Sequence, residues 1–173
     1  IYSMLFEHLK STLPEDIPIA GAFDFEAAFP SVIHDWIWLV LQHRKMPPGY
    51  ISLFQSIYKK VTATFEHNGV SRVLINLFSG VLPGCPASAF LFNNAIDQFL
   101  ANFDNLLHKK HAVIVRACAD DIGIVLKQLE HLKLIYPIYS DCKTHAGIAL
   151  KPPKCVLLLL CEFSEEVHAR LFS

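Results

Sequence analysis

Three aspartates carry the chemistry open to this sequence. Asp24 stands inside an apolar run, Ala22-Phe23-Asp24-Phe25, and Asp120-Asp121 fall between two β-rich stretches. An unpaired carboxylate among apolar side chains costs on the order of a few kcal/mol or gives up its charge, unless something compensates it. A metal ion is the natural compensation. Carboxylate oxygens are hard ligands that suit Mg²⁺ (or Mn²⁺), whose shell is completed by water and substrate phosphates. Two such ions can activate an attacking hydroxyl and stabilise the leaving oxygen of an in-line phosphoryl displacement. Taken alone, an Asp-Asp pair at a hairpin is more often plain turn chemistry. The nine histidines form no HExxH or other close ligand pattern, so none is assigned to zinc. The five cysteines are odd in number and form no CxxC pair, which argues against a disulfide framework and for a reducing compartment.

The elements that must position these aspartates follow from periodicity. Tyr2 to Leu13 has helical spacing and stops at Pro14, with a turn over Pro14-Glu15-Asp16. Ile17–Phe25 reads as a buried strand. Ser31 is placed to cap a helix running to Arg44, Pro47-Pro48-Gly49 breaks it, and a second helix covers Tyr50 to Lys59. Val61–Glu66 and Val70–Leu77 alternate around Asn68-Gly69, a strong hairpin signal. After the loop Gly80 to Pro86, helical spacing resumes from Ala87 to about Phe103. Ala112–Ala119 and Ile122–Leu126 are strands joined through Asp120-Asp121. Gln128 to Ala146 is helical, with Pro137 expected to kink or split it and Gly147 to end it. Cys155–Cys161 reads as a last, buried strand.

The resulting order is strand, helix, strand, strand, helix, strand, with a helix pair and a hairpin inserted after the first strand. That is a split βαβ, ferredoxin-like plan: an α+β antiparallel sheet with helices on one face. In such a sheet the first and middle strands are neighbours, so Asp24 and the Asp120-Asp121 pair can meet. The 173 residues fit one domain with a proper core. Hydrophobic residues make up 53% and charged ones 18%, with a mean hydropathy of +0.35. That excludes a disordered chain and suggests apolar faces meant for neighbouring domains. The longest apolar run is too short to span a bilayer. Without an initiator methionine or signal peptide, the chain reads as an intracellular fragment. A net charge of −1 leaves any nucleic-acid role to local features. His108-Lys109-Lys110-His111, Lys59-Lys60 and Arg44-Lys45 could touch phosphates, but solvated loops explain them as well.

Several stretches resemble the motifs of reverse transcriptases of the LINE-like, non-LTR type. Ala22-Phe23-Asp24-Phe25-Glu26-Ala27-Ala28-Phe29 resembles the first motif. Gly80 to Ser88, with Leu91-Phe92-Asn93, looks like the second, substrate-contacting motif. Ala119-Asp120-Asp121 is similar to the third, and Gly147-Ile148-Ala149-Leu150 with Lys154 resembles the fourth. Each motif is weak alone, but their order and spacing over roughly Ile17 to Leu160 make a strong set. The resemblance implies a polymerase palm-like domain over 1–173, with fingers incomplete at the N-terminal end and the thumb absent at the C-terminal end. It implies that Asp24 and Asp120 bind both metals, with Asp121 more peripheral and the Phe25 carbonyl completing a shell. Phe29, beside Ala28, would lie under the nucleotide sugar and block a 2′-hydroxyl, which disfavours an RNA-synthesising reading; ordinary core packing is the alternative. Gly84 would let the backbone approach nucleotide or template. Lys154 would place a cation near the leaving pyrophosphate, or else is a solvated strand-edge lysine.

The same resemblance implies RNA template, primer strand and deoxynucleoside triphosphates as partners, together with the remainder of a parent polyprotein and no membrane. Three positions depart from the pattern. Pro83 stands where a glutamine is usual and offers neither side-chain amide nor backbone N–H. Cys118 replaces an aromatic, and Pro30 replaces a common acidic residue. A degenerate, catalytically weak remnant that at most binds nucleic acid is therefore the alternative reading.

Overall fold

The computed structural model describes residues 17–107, 112–162 and 164–172. The helix expected over Tyr2–Leu13, the turn after it and the His108–His111 segment lie outside the described residues. The chain divides into two compact units. One comprises Ile1–Phe25, Phe99–Ser140 and Leu150–Ser173, the other Glu26–Gln98 and Asp141–Ala149.

The first unit is built on a four-stranded sheet. Its strands are β1 (Ile19–Phe23), β4 (Ala112–Cys118), β5 (Asp121–Leu126) and β6 (Val156–Leu159), in the order β4-β5-β1-β6 and antiparallel throughout. That order is the split βαβ plan, with the first strand beside the middle one. Period-2 alternation sets the faces. Ile19 pairs with Leu126, Gly21 with Ile124 and Phe23 with Ile122, and all six are buried. The intervening pair, Ala22 and Gly123, faces outward. Helix α4 (Ser88–Leu107) contributes buried Phe99, Phe103 and Leu107 to this unit, and α5 (Leu132–Asp141) contributes Ile135, Ile138 and Tyr139. The Tyr139 ring lies 5.3 Å from Phe23, 5.8 Å from Phe25 and 5.0 Å from Phe103. The helices thus cover the face that carries Phe23.

Pro137 does not split α5, which runs through it. Its missing N–H and ring clash cost about 3 kcal/mol. Burying a large apolar side chain returns about 1.5–3 kcal/mol, and Ile135, Ile138 and Tyr139 flank the proline. The expected burial of the last strand is corrected. Val156, Leu157 and Leu158 are 51%, 45% and 58% exposed, because β6 is an edge strand. A further helix, α6, spans Glu165–Phe172.

The second unit holds α1 (Ala28–Ser31), α2 (His34–His43), α3 (Pro48–Tyr58) and the hairpin of β2 (Thr62–His67) with β3 (Val70–Asn76). Asn68 and Gly69 take φ of 50° and 74°, the left-handed pair a two-residue hairpin turn needs. Pro48 opens α3, where its missing N–H has no helical partner to lose. Ser31 does not cap α2. Ile33 is held extended by a bridge to Ser79 and donates its N–H to the Ala146 carbonyl, so the helix is capped at Ile33, two residues past the expected cap. The Ser31 hydroxyl instead donates to the Glu26 carbonyl at 3.4 Å. Cys142–Ala146 forms a π turn that Gly147 closes at φ 75°, its N–H donating to the Lys143 carbonyl.

Gly147 is confined as well as left-handed: a β-carbon there would stand 2.8 Å from the Ser31 carbonyl oxygen. Gly49, near the start of α3, would meet nothing within 4 Å. Gly147→Ala should therefore lower unfolding stability by more than about 1 kcal/mol, while Gly49→Ala should be neutral or raise it by up to about 1 kcal/mol. Urea denaturation midpoints of the two variants read this contrast directly.

Candidate active site

Asp24 follows β1 and is the next residue after the Phe23–Ile122 pair; Asp121 is the next residue in the opposite direction on β5. Continuing the register therefore sets Asp24 across from Asp121, on the face away from the helices. Cys118 pairs with Asp121 and Arg116 with Gly123, so both lie on that same face. Ala22, Asp24, Arg116, Cys118, Asp121 and Lys154 line one open cleft. Asp120 sits in the two-residue turn with Ala119, whose φ of 53° costs an alanine roughly 1–2 kcal/mol. Strain of that kind concentrates at functional turns.

Lys154 reaches the cleft from the segment after β1's partner bridge. Phe25 forms an isolated bridge with Leu150, and the Lys151 N–H donates to the Asp24 carbonyl at 2.8 Å. Pro152-Pro153 then favour the tight turn Pro152–Lys154, closed by the Lys154 N–H on the Lys151 carbonyl at 2.9 Å. The Lys154 Nζ lies 2.9 Å from Asp24 Oδ2. The Asp24 side chain is 19% exposed and that of Lys154 60%. Hydrogen bonding to Asp24, then its charge, raises the Lys154 ammonium above the ordinary lysine range, and Asp120 and Asp121 add smaller pushes in the same direction. All three aspartates therefore act on one cation.

The donors are hard oxygens, the type that Mg²⁺ and Mn²⁺ take. Among the described residues no group of three or more His, Cys, Asp or Glu side chains is gathered to hold a metal. Mg²⁺ is ordinarily held by only one or two protein carboxylates, with water and substrate phosphates filling its shell. The opposed Asp24 and Asp121, with Asp120 in the adjoining turn, fit that requirement. Phe25 itself is buried against Tyr139.

Ala28, Phe29, Pro83 and Gly84 belong to the second unit. Phe29 is part-buried and its ring stacks on Phe92 at 4.2 Å; Ala28 beside it is buried. Pro83 and Gly84 are exposed, and a β-carbon on Gly84 would meet nothing within 4 Å. Arg116 was missed from sequence. The signal was available in strand alternation, which places it two residues before Cys118 on the same face. Cys142 is not a reactive thiol, since burial, with help from Asp141, pushes it up to about 12.

A ferredoxin-like sheet bearing carboxylates where its two central strands meet has a polymerase palm-like fold. The chain belongs to the reverse transcriptase family, with residues 4–169 matching the family model "Reverse transcriptase (RNA-dependent DNA polymerase)". It is 27% identical over 122 residues to the Transposon TX1 uncharacterized 149 kDa protein of Xenopus laevis, covering 65% of this chain and 9% of that protein. That relative agrees with the resemblance to LINE-like, non-LTR elements. Apo telomerase from Candida tropicalis matches with a TM-score of 0.71 at 12% identity, over 90% of this chain and 31% of that one. The Candida tropicalis telomerase solved with a TWJ fragment of telomeric RNA matches with a TM-score of 0.69 at 11% identity, over 91% and 28%. At these identities the likeness is one of fold. The chain spans under a tenth of the transposon protein and about a third of the telomerase chains. Among the described residues no helix is long and apolar enough to cross a membrane.

The ion pair yields a pH prediction. A lysine whose folded pKa is raised contributes stability that persists through neutral pH and is lost only as pH climbs through the raised value. The Lys154 ammonium should titrate above ordinary lysines in the folded chain, followed by NMR of its side-chain carbons. Asp24→Asn should return most of that displacement; an unmoved Lys154 titration in that variant would show that the pair does not form.

Proposed function

We propose that this chain is the palm core of an RNA-directed DNA polymerase from a retrotransposon-like element, extending a primer with deoxynucleotides on an RNA template. The observation that carries the reading is the β1–β5 register, which sets Asp24 across from Asp121 in the cleft that Lys154 enters. Bound divalent ions (Mg²⁺ or Mn²⁺) would supply activation of the primer 3′-hydroxyl and charge stabilisation of the leaving pyrophosphate. Asp24 and Asp120 supply the oxygens that hold them, with Asp121 beside them and the Phe25 carbonyl as a further donor. The hydroxyl oxygen bonds to the α-phosphorus as the bond to the β-phosphate breaks. Lys154 holds positive charge where the pyrophosphate forms.

Phe29, braced by Phe92 and next to Ala28, excludes the 2′-hydroxyl of a ribonucleotide. Gly84 offers bare backbone beside Pro83, at the surface where nucleotide and template would approach. Fingers and thumb of a parent polyprotein supply the cationic grip on template and duplex that a chain of net charge −1 lacks. The family match and the RNA-bound telomerase neighbour support an RNA template, which makes an intracellular setting the natural one.

One observation favours a second reading, a weakly active or inactive remnant. Pro83 offers no amide to the nucleotide, and exposed Cys118 replaces an aromatic in the cleft wall. Both readings are decided in a chimera carrying fingers and thumb from an active relative. Pro83→Gln should raise Mg²⁺-dependent primer extension on RNA by roughly ten- to a hundredfold, the worth of one positioning contact of about 1–3 kcal/mol. Asp120→Asn should abolish it. Full activity with Pro83 in place would remove the remnant reading, whereas no activity in either form despite correct folding would remove the polymerase reading. In the active form, Phe29→Ala should admit ribonucleotides, read as the ratio of ribo- to deoxynucleotide incorporation.

A further inference from the structure

The loop that carries Pro83 and Gly84 is held by His34 and Tyr58, which lie outside every motif, together with Ser88 at the motif's end. His34 is buried, and its Nε2–H donates to the Gly80 carbonyl at 2.8 Å. Its ring meets that of buried Tyr58 edge-on at 5.1 Å. The Tyr58 hydroxyl accepts from the Leu82 N–H at 3.2 Å and lies 3.4 Å from Ser88 Oγ, while Ser88 Oγ donates to the Leu82 carbonyl at 2.6 Å. Counting protons fixes the directions. The Ser88 proton is spent on Leu82, so the Tyr58 proton goes to Ser88, and the three bonds close a ring around Leu82. Two residues earlier, the Gly80 N–H donates to the Val32 carbonyl and the Val81 N–H to the Phe29 carbonyl, both at 2.8 Å. Gly80 is pressed so close to Pro30 that a β-carbon would stand 2.6 Å from its carbonyl oxygen. Past Leu82 the chain closes only on itself: the Cys85 N–H donates to the Leu82 carbonyl at 3.1 Å across Pro83, which has no N–H to offer, and Gly84, where a β-carbon would meet nothing within 4 Å.

We propose that Tyr58, acting with Ser88 and His34, is a positioning residue for nucleotide binding. It fixes the height at which Pro83 and Gly84 meet the nucleotide, and the Val81–Phe29 bond ties that height to the ring that screens the sugar. This role rests on the loop being the nucleotide-contacting loop of a polymerase. Tyr58 makes it by hydrogen bonding alone, so the ring can remain while the function is removed.

Tyr58→Phe deletes the hydroxyl and keeps the packing; Tyr50→Phe, at an exposed position, is the control. Two measurements are made: amide hydrogen exchange at Leu82 in this chain, and the affinity for deoxy- and ribonucleoside triphosphates with Mn²⁺ in the chimera that carries fingers and thumb. Loss of one such bond should speed Leu82 exchange about two- to tenfold and weaken nucleotide binding by a similar factor. Deoxynucleotide preference over ribonucleotide should narrow, and Tyr50→Phe should change none of these. Faster exchange with unchanged affinity and preference would make Tyr58 merely structural and overturn the role, leaving the polymerase reading intact. Unchanged exchange would overturn the anchoring itself. If the chimera with Tyr58 in place binds no nucleotide, the polymerase reading fails and the positioning role falls with it, whatever the exchange data show about the ring.

Discussion

The pairing of β1 with β5 does two jobs with one set of hydrogen bonds. On the helix side it buries Ile19, Phe23, Ile122, Ile124 and Leu126, the apolar mass that holds the first unit together. On the other side the same alternation presents Ala22, Asp24, Asp121 and Gly123 to the cleft. Slipping the register by one residue would exchange the faces, driving Asp24 into apolar surroundings and Phe23 into water. The carboxylates therefore hold their places because their neighbours are buried, and no separate device is needed to aim them. Lys154 is aimed from the opposite edge of β1, the one that pairs with β6, since the segment that delivers it is tied to the Asp24 backbone.

The second unit works by a different principle. Its loop over Pro83 and Gly84 has no strand partner among the described residues, so shape comes from side chains and short backbone bonds that converge on Gly80, Val81 and Leu82. The result is a firmly held root under an open tip. A loop of this kind tolerates change at the tip, where Pro83 has replaced the usual glutamine, more readily than at the root.

Most of this was legible in the sequence where a signal is local. Asn68-Gly69 announced the hairpin, Gly147 the helix end, and the β-rich runs beside Asp24 and Asp120-Asp121 the strands next to them. The split βαβ order followed from the sequence of elements. What escaped reading depends on partners far along the chain. Ser31 looks like a cap until Ser79 and Ala146 are seen to hold Ile33 extended. Pro137 looks like a breaker until the burial on either side of it is weighed. The Cys155–Cys161 run has the composition of a central strand, and composition alone does not tell a centre from an edge. The ring around Leu82 joins residues on α3, a loop and the start of α4, and leaves no periodic trace.

That misread edge has a consequence for how the protein behaves as a material. Much of its apolar content is displayed: Val73, Leu74 and Ile75 on the hairpin and Val156 to Leu158 on β6 all stand at or near half exposure or above. These are β-branched and leucine side chains on strands with an edge that no strand among the described residues pairs with, the surface from which sheets grow between molecules. With a net charge of only −1 there is little electrostatic repulsion to keep copies apart. In dilute solution the isolated chain is thus governed by colloidal behaviour as much as by folding. The concentration it can reach is set by strand edges that carry none of its chemistry.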